Sequence, residues 1–255
     1  MKFNTKTKKY IDGSQDTIYC SRSIFDDKSD ELNNDFCNPQ FDYSSLPTFG
    51  GEHSVDTHTY NENDLRIDSI KRSKDKIMDI VVQNPQLKLF ITGTFSPKKV
   101  DRENIELCVN KIKNWLIRMH REYGLEYIIV PEYHTNGKAI HIHGVISDVL
   151  PLKDSGHKLK DGRTIYNLIT WKNGFSTAIY IDDSNGRLPV GRYISKYLTK
   201  DLKLIFGKSY WSSKGLRRDT DIELSHSDFI SIQKQQYGNP LRAFKYDLQI
   251  TDKKV

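Results

Sequence analysis

Two short stretches of this 255-residue chain combine residue types that can do chemistry. The first, PEYHTNGKAIHIHGV (131–145), sets a glutamate and three histidines around an Asn-Gly pair. The second, RYISKYLTK (192–200), carries Tyr-x-x-Lys twice, as Tyr193 with Lys196 and Tyr197 with Lys200. Imidazoles and a carboxylate can hold a divalent cation while leaving coordination positions open. A tyrosine, with a reference pKa of about 10, becomes a useful nucleophile where cations favour the phenolate.

Asn-Gly between alternating segments favours a two-residue type I′ hairpin turn. With Asn136 and Gly137 in that turn, Tyr133 faces Ile140 and Glu132 faces His141. Alternation along the strand sets His141 and His143 on one face and assigns Ile140, Ile142 and Val145 to the other. Directly opposed residues share a face with Cβ atoms about 4.5–5.5 Å apart. Glu132, His141 and His143 therefore converge, and His134 lies one pair nearer the turn as an outer group or DNA contact. The set suits Mg²⁺ or Mn²⁺; zinc sites draw on more His or Cys. The competing reading, that His-x-His decorates a solvated sheet face, is weakened by the cross-strand glutamate.

On a helix, at about 100° per residue, Tyr193, Lys196, Tyr197 and Lys200 share one arc. Ile194, Leu198, Leu202 and Ile205 form a separate stripe that already serves packing. Tyrosines flanking that stripe as half-buried edges are the alternative.

The elements that must position these residues follow from periodicity. Residues 64–82 read as a helix with an apolar stripe and a basic surface of Lys71, Arg72, Lys74 and Lys76. Residues 87–97 alternate as a strand, stopped at Ser96-Pro97. A second helix is expected from a cap at Asp101 to a stop at Gly124. Strands follow at 125–135, 138–147 and 176–181, with a Lys- and Gly-rich region at 151–174 between the last two. A last helix is expected over 190–206. This order predicts an α+β fold, an antiparallel sheet covered by helices. Residues 1–63 read as a polar, irregular arm, 64–218 as the functional domain and 219–255 as an extension.

Charge agrees with a polyanionic partner. Residues 1–65 carry 6 Lys/Arg and 12 Asp/Glu, so the rest of a chain of net charge +6 is strongly basic. Three widely spaced cysteines indicate neither a disulfide framework nor a zinc cage. No apolar run suits a membrane span or a secretory signal, which points to the cytoplasm. Gly207-Lys208-Ser209 ends like a P-loop, but Leu202 stands where the first glycine belongs, so no nucleotide-driven motor is encoded.

The strand with Thr-x-Thr-Phe (Thr92–Phe95), then Glu132 with His141-Ile142-His143, then Tyr-x-x-Lys on a helix, in that order, resembles the HUH endonuclease superfamily. More closely, it resembles the rolling-circle replication initiators of microviruses, inoviruses and related plasmids. The resemblance covers residues 66–218. It implies a ferredoxin- or RRM-like core, a divalent metal on His141, His143 and Glu132, and Tyr193 or Tyr197 as nucleophile, with Tyr193 favoured first. Lys196 and Lys200 would hold phosphates or assist the leaving oxygen. Lys71, Arg72, Lys74, Trp171 and Lys172 would contact DNA, Trp171 by stacking on unpaired bases. The implied activity is nicking and rejoining of a single-stranded DNA origin, with or without a hairpin, through a phosphotyrosine. A host helicase and DNA polymerase would be partners. A relaxase or single-tyrosine transposase shares this chemistry, and a DNA-binding regulator without catalysis is the reading from another class.

Overall fold

The computed structural model describes residues 1–20, 22–23, 25–26, 67–133, 139–184, 186–197, 209–228, 230–232 and 248–252. Along the chain the elements begin with β1 (Lys2–Phe3), β2 (Thr5–Lys9), β3 (Gln15–Tyr19) and β4 (Phe25–Asp26). Next come α1 (Ile67–Gln83), β5 (Leu87–Thr94), α2 (Ile105–Tyr123), β6 (Tyr127–Tyr133) and β7 (Ile140–Ser147). Then follow β8 (Leu152–Lys158), β9 (Thr164–Leu168), β10 (Ser176–Tyr180) and α3 (Leu188–Ser195). The last strands are β11 (Trp211–Ser212), β12 (Asp221–Ser225) and β13 (Leu248–Asp252). The fold is α+β, and every described strand pairing is antiparallel.

The chain divides into two units, residues 65–219 and residues 1–64 with 220–255. In the second of these, a four-stranded sheet runs β12-β2-β3-β13, so segments from both ends of the chain pair side by side. Residues 2–19 are thus stranded where an irregular arm is expected. The cause is tertiary: Thr-Lys-Thr-Lys-Lys has no apolar alternation, and its pairing partner Asp221–Ser225 lies far along the chain.

The larger unit is a seven-stranded sheet in the order β11-β6-β7-β5-β10-β9-β8. The β6–β7 register is the one the Asn-Gly turn predicts, with Tyr133 opposite Ile140 and Glu132 opposite His141. The turn itself lies outside the described residues. The 151–174 region holds the β8–β9 hairpin, which its Lys, Gly and Asp content conceals.

Each sheet face has its own cover. α2 buries Cys108, Val109, Ile112, Trp115, Leu116 and Met119 against Ile91, Ile129, Ile140, Ile142 and Ile146. Full burial of each large side chain contributes about 1.5–3 kcal/mol. The helix starts at Asn104, whose Oδ1 accepts from Leu107 N at 3.0 Å, rather than at Asp101. It stops at Gly124 in the left-handed region (φ 67°). On the other face Ile77, Ile80 and Val81 of α1 and Ile194 of α3 pack on Ile128, Val130 and Val145. Val145 therefore sits on the histidine face, as strict alternation requires, and not with Ile140 and Ile142.

Close approach fixes this second layer. A Cβ on Gly144 would fall 2.4 Å from Ile128 O, so only glycine lets β6 lie where it does after His143. A Cβ on Gly191 would sit 3.0 Å from Met78 Cγ and 3.1 Å from Met78 Cα, so α3 lies almost backbone to backbone on α1. Buried Arg187, at the N-cap of α3, donates to Val81 O at 3.1 Å and to Leu87 O at 2.7 Å. These bonds satisfy carbonyls that the end of α1 would otherwise leave orphaned.

Candidate active site

Three lateral rows of side chains cross the α1/α3 face of the sheet. The innermost is Ile128, Val145 and Phe90; the next is Val130, His143 and Thr92; the last is Glu132, His141 and Thr94. The apolar inner row is where the helices pack. Polar groups begin one row farther out, towards the end of the sheet.

There Glu132 Oε2 lies 3.0 Å from His141 Nε2 and 3.2 Å from His143 Nε2. One ligand atom from each of the three lies within 4.8 Å of the others, so the trio could hold a metal ion. The imidazoles meet edge to face, with centroids 4.7 Å apart. Thr92 Oγ1 lies 3.1 Å from His143 Nδ1. With that nitrogen protonated and donating to Thr92, the Nε2 lone pair is left for a cation, the arrangement that orients a ligating histidine. Burial, and then the neighbouring His141, push the His143 pKa down to about 3, so the ring is neutral at physiological pH as a ligand must be. By donor type and convergence, the residues fit a divalent cation.

Both tyrosines reach this cluster. The Tyr197 ring stacks on His143 at 3.8 Å between centroids and 14° between planes. Its hydroxyl donates to the Tyr193 hydroxyl at 2.9 Å. Phe90 packs beneath both, edge-on to Tyr193 at 5.3 Å and stacked with Tyr197 at 6.1 Å. Desolvation raises the Tyr197 pKa, and the Tyr193 hydrogen bond and the Glu132 charge raise it further. Tyr193 is 46% exposed. α3 is shorter than the expected 190–206 in its described part: it ends at Ser195, and Lys196 N and Tyr197 N bond back to Tyr193 O and Ile194 O in a tightened last turn. That turn carries Tyr197 over His143. Lys196 is exposed, with Nζ 5.9 Å from the Tyr193 ring centre. His134 and Lys200 lie outside the described residues.

The expected DNA contacts divide. Lys172 is exposed on the loop between β9 and β10, and Arg72 and Lys74 are half-buried on α1. Lys71 is in α1, with its side chain outside the described residues. Trp171 is a correction. It is 4% exposed, its Nε1 donates to Thr94 O at 3.0 Å, and its ring packs on Phe95 and Trp115. A ring with both faces buried in the α2 core offers none to a base. Conversely, the sequence does not single out Phe90 or Arg187. The alternation that places His143 also places Phe90, whereas nothing local marks Arg187 as the brace of α3.

Fold and site together define a class: an α+β sheet protein with a candidate Glu-His-His metal cluster under a pair of stacked tyrosines. Residues 88–202, which contain that whole constellation, match the family model of the ORF2-type replication-associated proteins, consistent with a rolling-circle replication initiator. No curated protein and no solved structure matches the chain.

Proposed function

We propose that this protein nicks and rejoins single-stranded DNA at a replication origin, through a covalent phosphotyrosine. The observation that carries the reading is Tyr197 stacked on His143 and bonded to Tyr193, which sets two phenols beside the convergent Glu132, His141 and His143. The replication-associated match over the same residues supports it.

Glu132, His141 and His143 would hold Mg²⁺ or Mn²⁺, which would draw charge from the non-bridging oxygens of the scissile phosphate. Tyr193 is the favoured first nucleophile. Its oxygen accepts the Tyr197 hydroxyl proton, which stabilises negative charge as the phenol ionises. Tyr197 keeps its own proton, because burial raises its pKa. The Tyr193 oxygen attacks phosphorus, the bond from phosphorus to the 3′ oxygen breaks, and that oxygen takes up a proton. The products are a 5′-phosphotyrosine and a 3′-hydroxyl, and the reverse attack rejoins the strand without ATP. Lys196 and Lys200 would neutralise phosphate charge, and Lys71, Arg72, Lys74 and Lys172 would contact the backbone. A host helicase and polymerase would supply unwinding and extension.

The test is incubation with Mn²⁺ and a labelled single-stranded origin oligonucleotide, followed by a denaturing gel. A covalent adduct is expected, lost in Tyr193→Phe and absent when both tyrosines are phenylalanine. An undiminished adduct in the double variant would refute the tyrosine mechanism.

A further inference from the structure

The histidine-bearing face of the sheet does not end at β5. Register carries each row onward through β10, β9 and β8. The row of His143 and Thr92 continues to Thr177, and Asn167 pairs with Lys153 beyond it. Ala178 opposite Tyr166 puts Thr177 and Asn167 side by side. The inner row continues from Phe90 to Ile179, Ile165 and His157 by the same pairings. Across this outer sheet Thr177, Ile179, Ile165 and Asn167 are half-buried and Lys153 and His157 exposed, whereas Ser176, Ala178 and Leu168 on the α2 face are buried. Just past the strand ends stand Phe175, 63% exposed, and Ile169, 44% exposed.

Asn167 Oδ1 is, among the described residues, a buried side-chain oxygen without a hydrogen-bond partner. Such a group costs stability unless a donor arrives from elsewhere. From His143 to Lys153 the strip crosses four strand spacings, about 19 Å at about 4.8 Å each. Its chemistry is an aromatic ring and aliphatic side chains for base faces, an uncommitted amide for a base edge, and cations on the outer strand, including Lys158 and Lys160 of the β8–β9 hairpin, for phosphates.

Resting on the single-stranded DNA reading above, we infer that the β10-β9-β8 strip is the track for unpaired nucleotides flanking the scissile phosphate. Phe175 stacks on a base there, Lys153 contacts phosphate and Asn167 discriminates among bases. Charge complementarity and unbroken continuity with the tyrosine site argue for this occupant.

The full-length chain is titrated by anisotropy against short fluorescent oligothymidylate and oligoadenylate in EDTA, with melting temperature measured for each variant. Phe175→Ala weakens binding on the order of tenfold. Lys153→Gln lowers the salt-dependence slope by about 0.7, the value for one single-strand phosphate contact. Ile117→Ala, which removes an exposed side chain from the α2 side, changes neither. Asn167→Leu keeps or raises the melting temperature and reduces the preference between the two oligonucleotides several-fold. If wild type binds single strands and the Phe175 and Lys153 variants bind equally well, the track is overturned while the nicking reading stands. Failure of wild type to bind any single strand overturns both. Equal loss of duplex binding in the strip variants refutes a track for unpaired bases.

Discussion

The two faces of the seven-stranded sheet are made by the same strands, residue by residue in alternation, yet they are put to opposite uses. On the α2 face, Ile91, Ile129, Ile140, Ile142 and Ile146 meet an apolar helix stripe and leave no polar side chain to satisfy. On the α1/α3 face, apolar packing covers only the inner row and stops at Val130. Beyond it, Glu132, His141 and His143 stand half-buried, short of water and bonded mainly to one another. A closed face supplies rigidity, and a face whose cover ends early supplies polarised, partly desolvated groups. Each histidine of β7 is thus held in place by the isoleucines on either side of it, which are locked under α2.

The largest expected effect separates the faces most sharply. His141→Ala and His143→Ala each remove a candidate ligand, so metal-dependent adduct formation falls by well over the roughly 10–100-fold typical of losing a ligand's supporting partner. Melting temperature without metal changes little or rises, since a clustered polar group is gone. Isothermal titration with Mn²⁺ and a gel assay check both halves; retained cleavage in both variants would remove the ligand assignment. The mirror change, Ile142→Ala, lies between the two histidines but points into the α2 core. It costs about 2–5 kcal/mol in chemical denaturation, while the folded fraction keeps its affinity for Mn²⁺. Equal damage to affinity and stability in the two experiments would mean that the faces do not divide the labour.

Thr92→Val sharpens the comparison at smaller scale. The substitution keeps shape and removes the hydroxyl that meets His143 Nδ1. Metal affinity is expected to fall about 10–100-fold, with stability nearly unchanged. An unaltered affinity would show that the His143 ring is oriented by its stacking with Tyr197 and not by the hydrogen bond.

Much of this division is readable in the chain. The Asn-Gly pair and the alternation on either side set the β6–β7 register, and with it Glu132 opposite His141. Helical spacing finds the α2 stripe residue by residue, although Asn104 and not Asp101 caps it; both residue types cap well, so type alone cannot choose. Trp171 misleads because an isolated tryptophan among lysines and glycines has no periodicity to reveal that it plugs the α2 core. The β8–β9 hairpin escapes because an edge hairpin facing water carries little apolar alternation. The β2–β3 sheet is illegible for a different reason: its partners come from the other end of the chain, and no local pattern encodes a pairing over that distance.

The smallest effect tests how tightly the open face is assembled. Gly191 touches Met78 where α3 crosses α1, and an added Cβ would meet Met78 Cγ at 3.0 Å and Met78 Cα at 3.1 Å. The thioether side chain can yield, but the backbone atom cannot, so α3 must move outward by a few tenths of an ångström. Alanine also gains helix propensity over glycine, by about 0.8–1.0 kcal/mol, which offsets much of the crowding. Gly191→Ala is therefore expected to leave the melting temperature close to wild type. Tyr193 and Tyr197 ride on the same helix end, however, and the 3.8 Å stack on His143 has no slack to absorb the shift. A misplacement of about 1 Å can cost about 100-fold in rate, so a shift of tenths should slow adduct formation several-fold with Mn²⁺ affinity unchanged. A single-turnover time course measures it. A Gly191→Ala protein that cleaves at the wild-type rate would mean that the tyrosines are positioned by the substrate and not by the seat of α3 on α1.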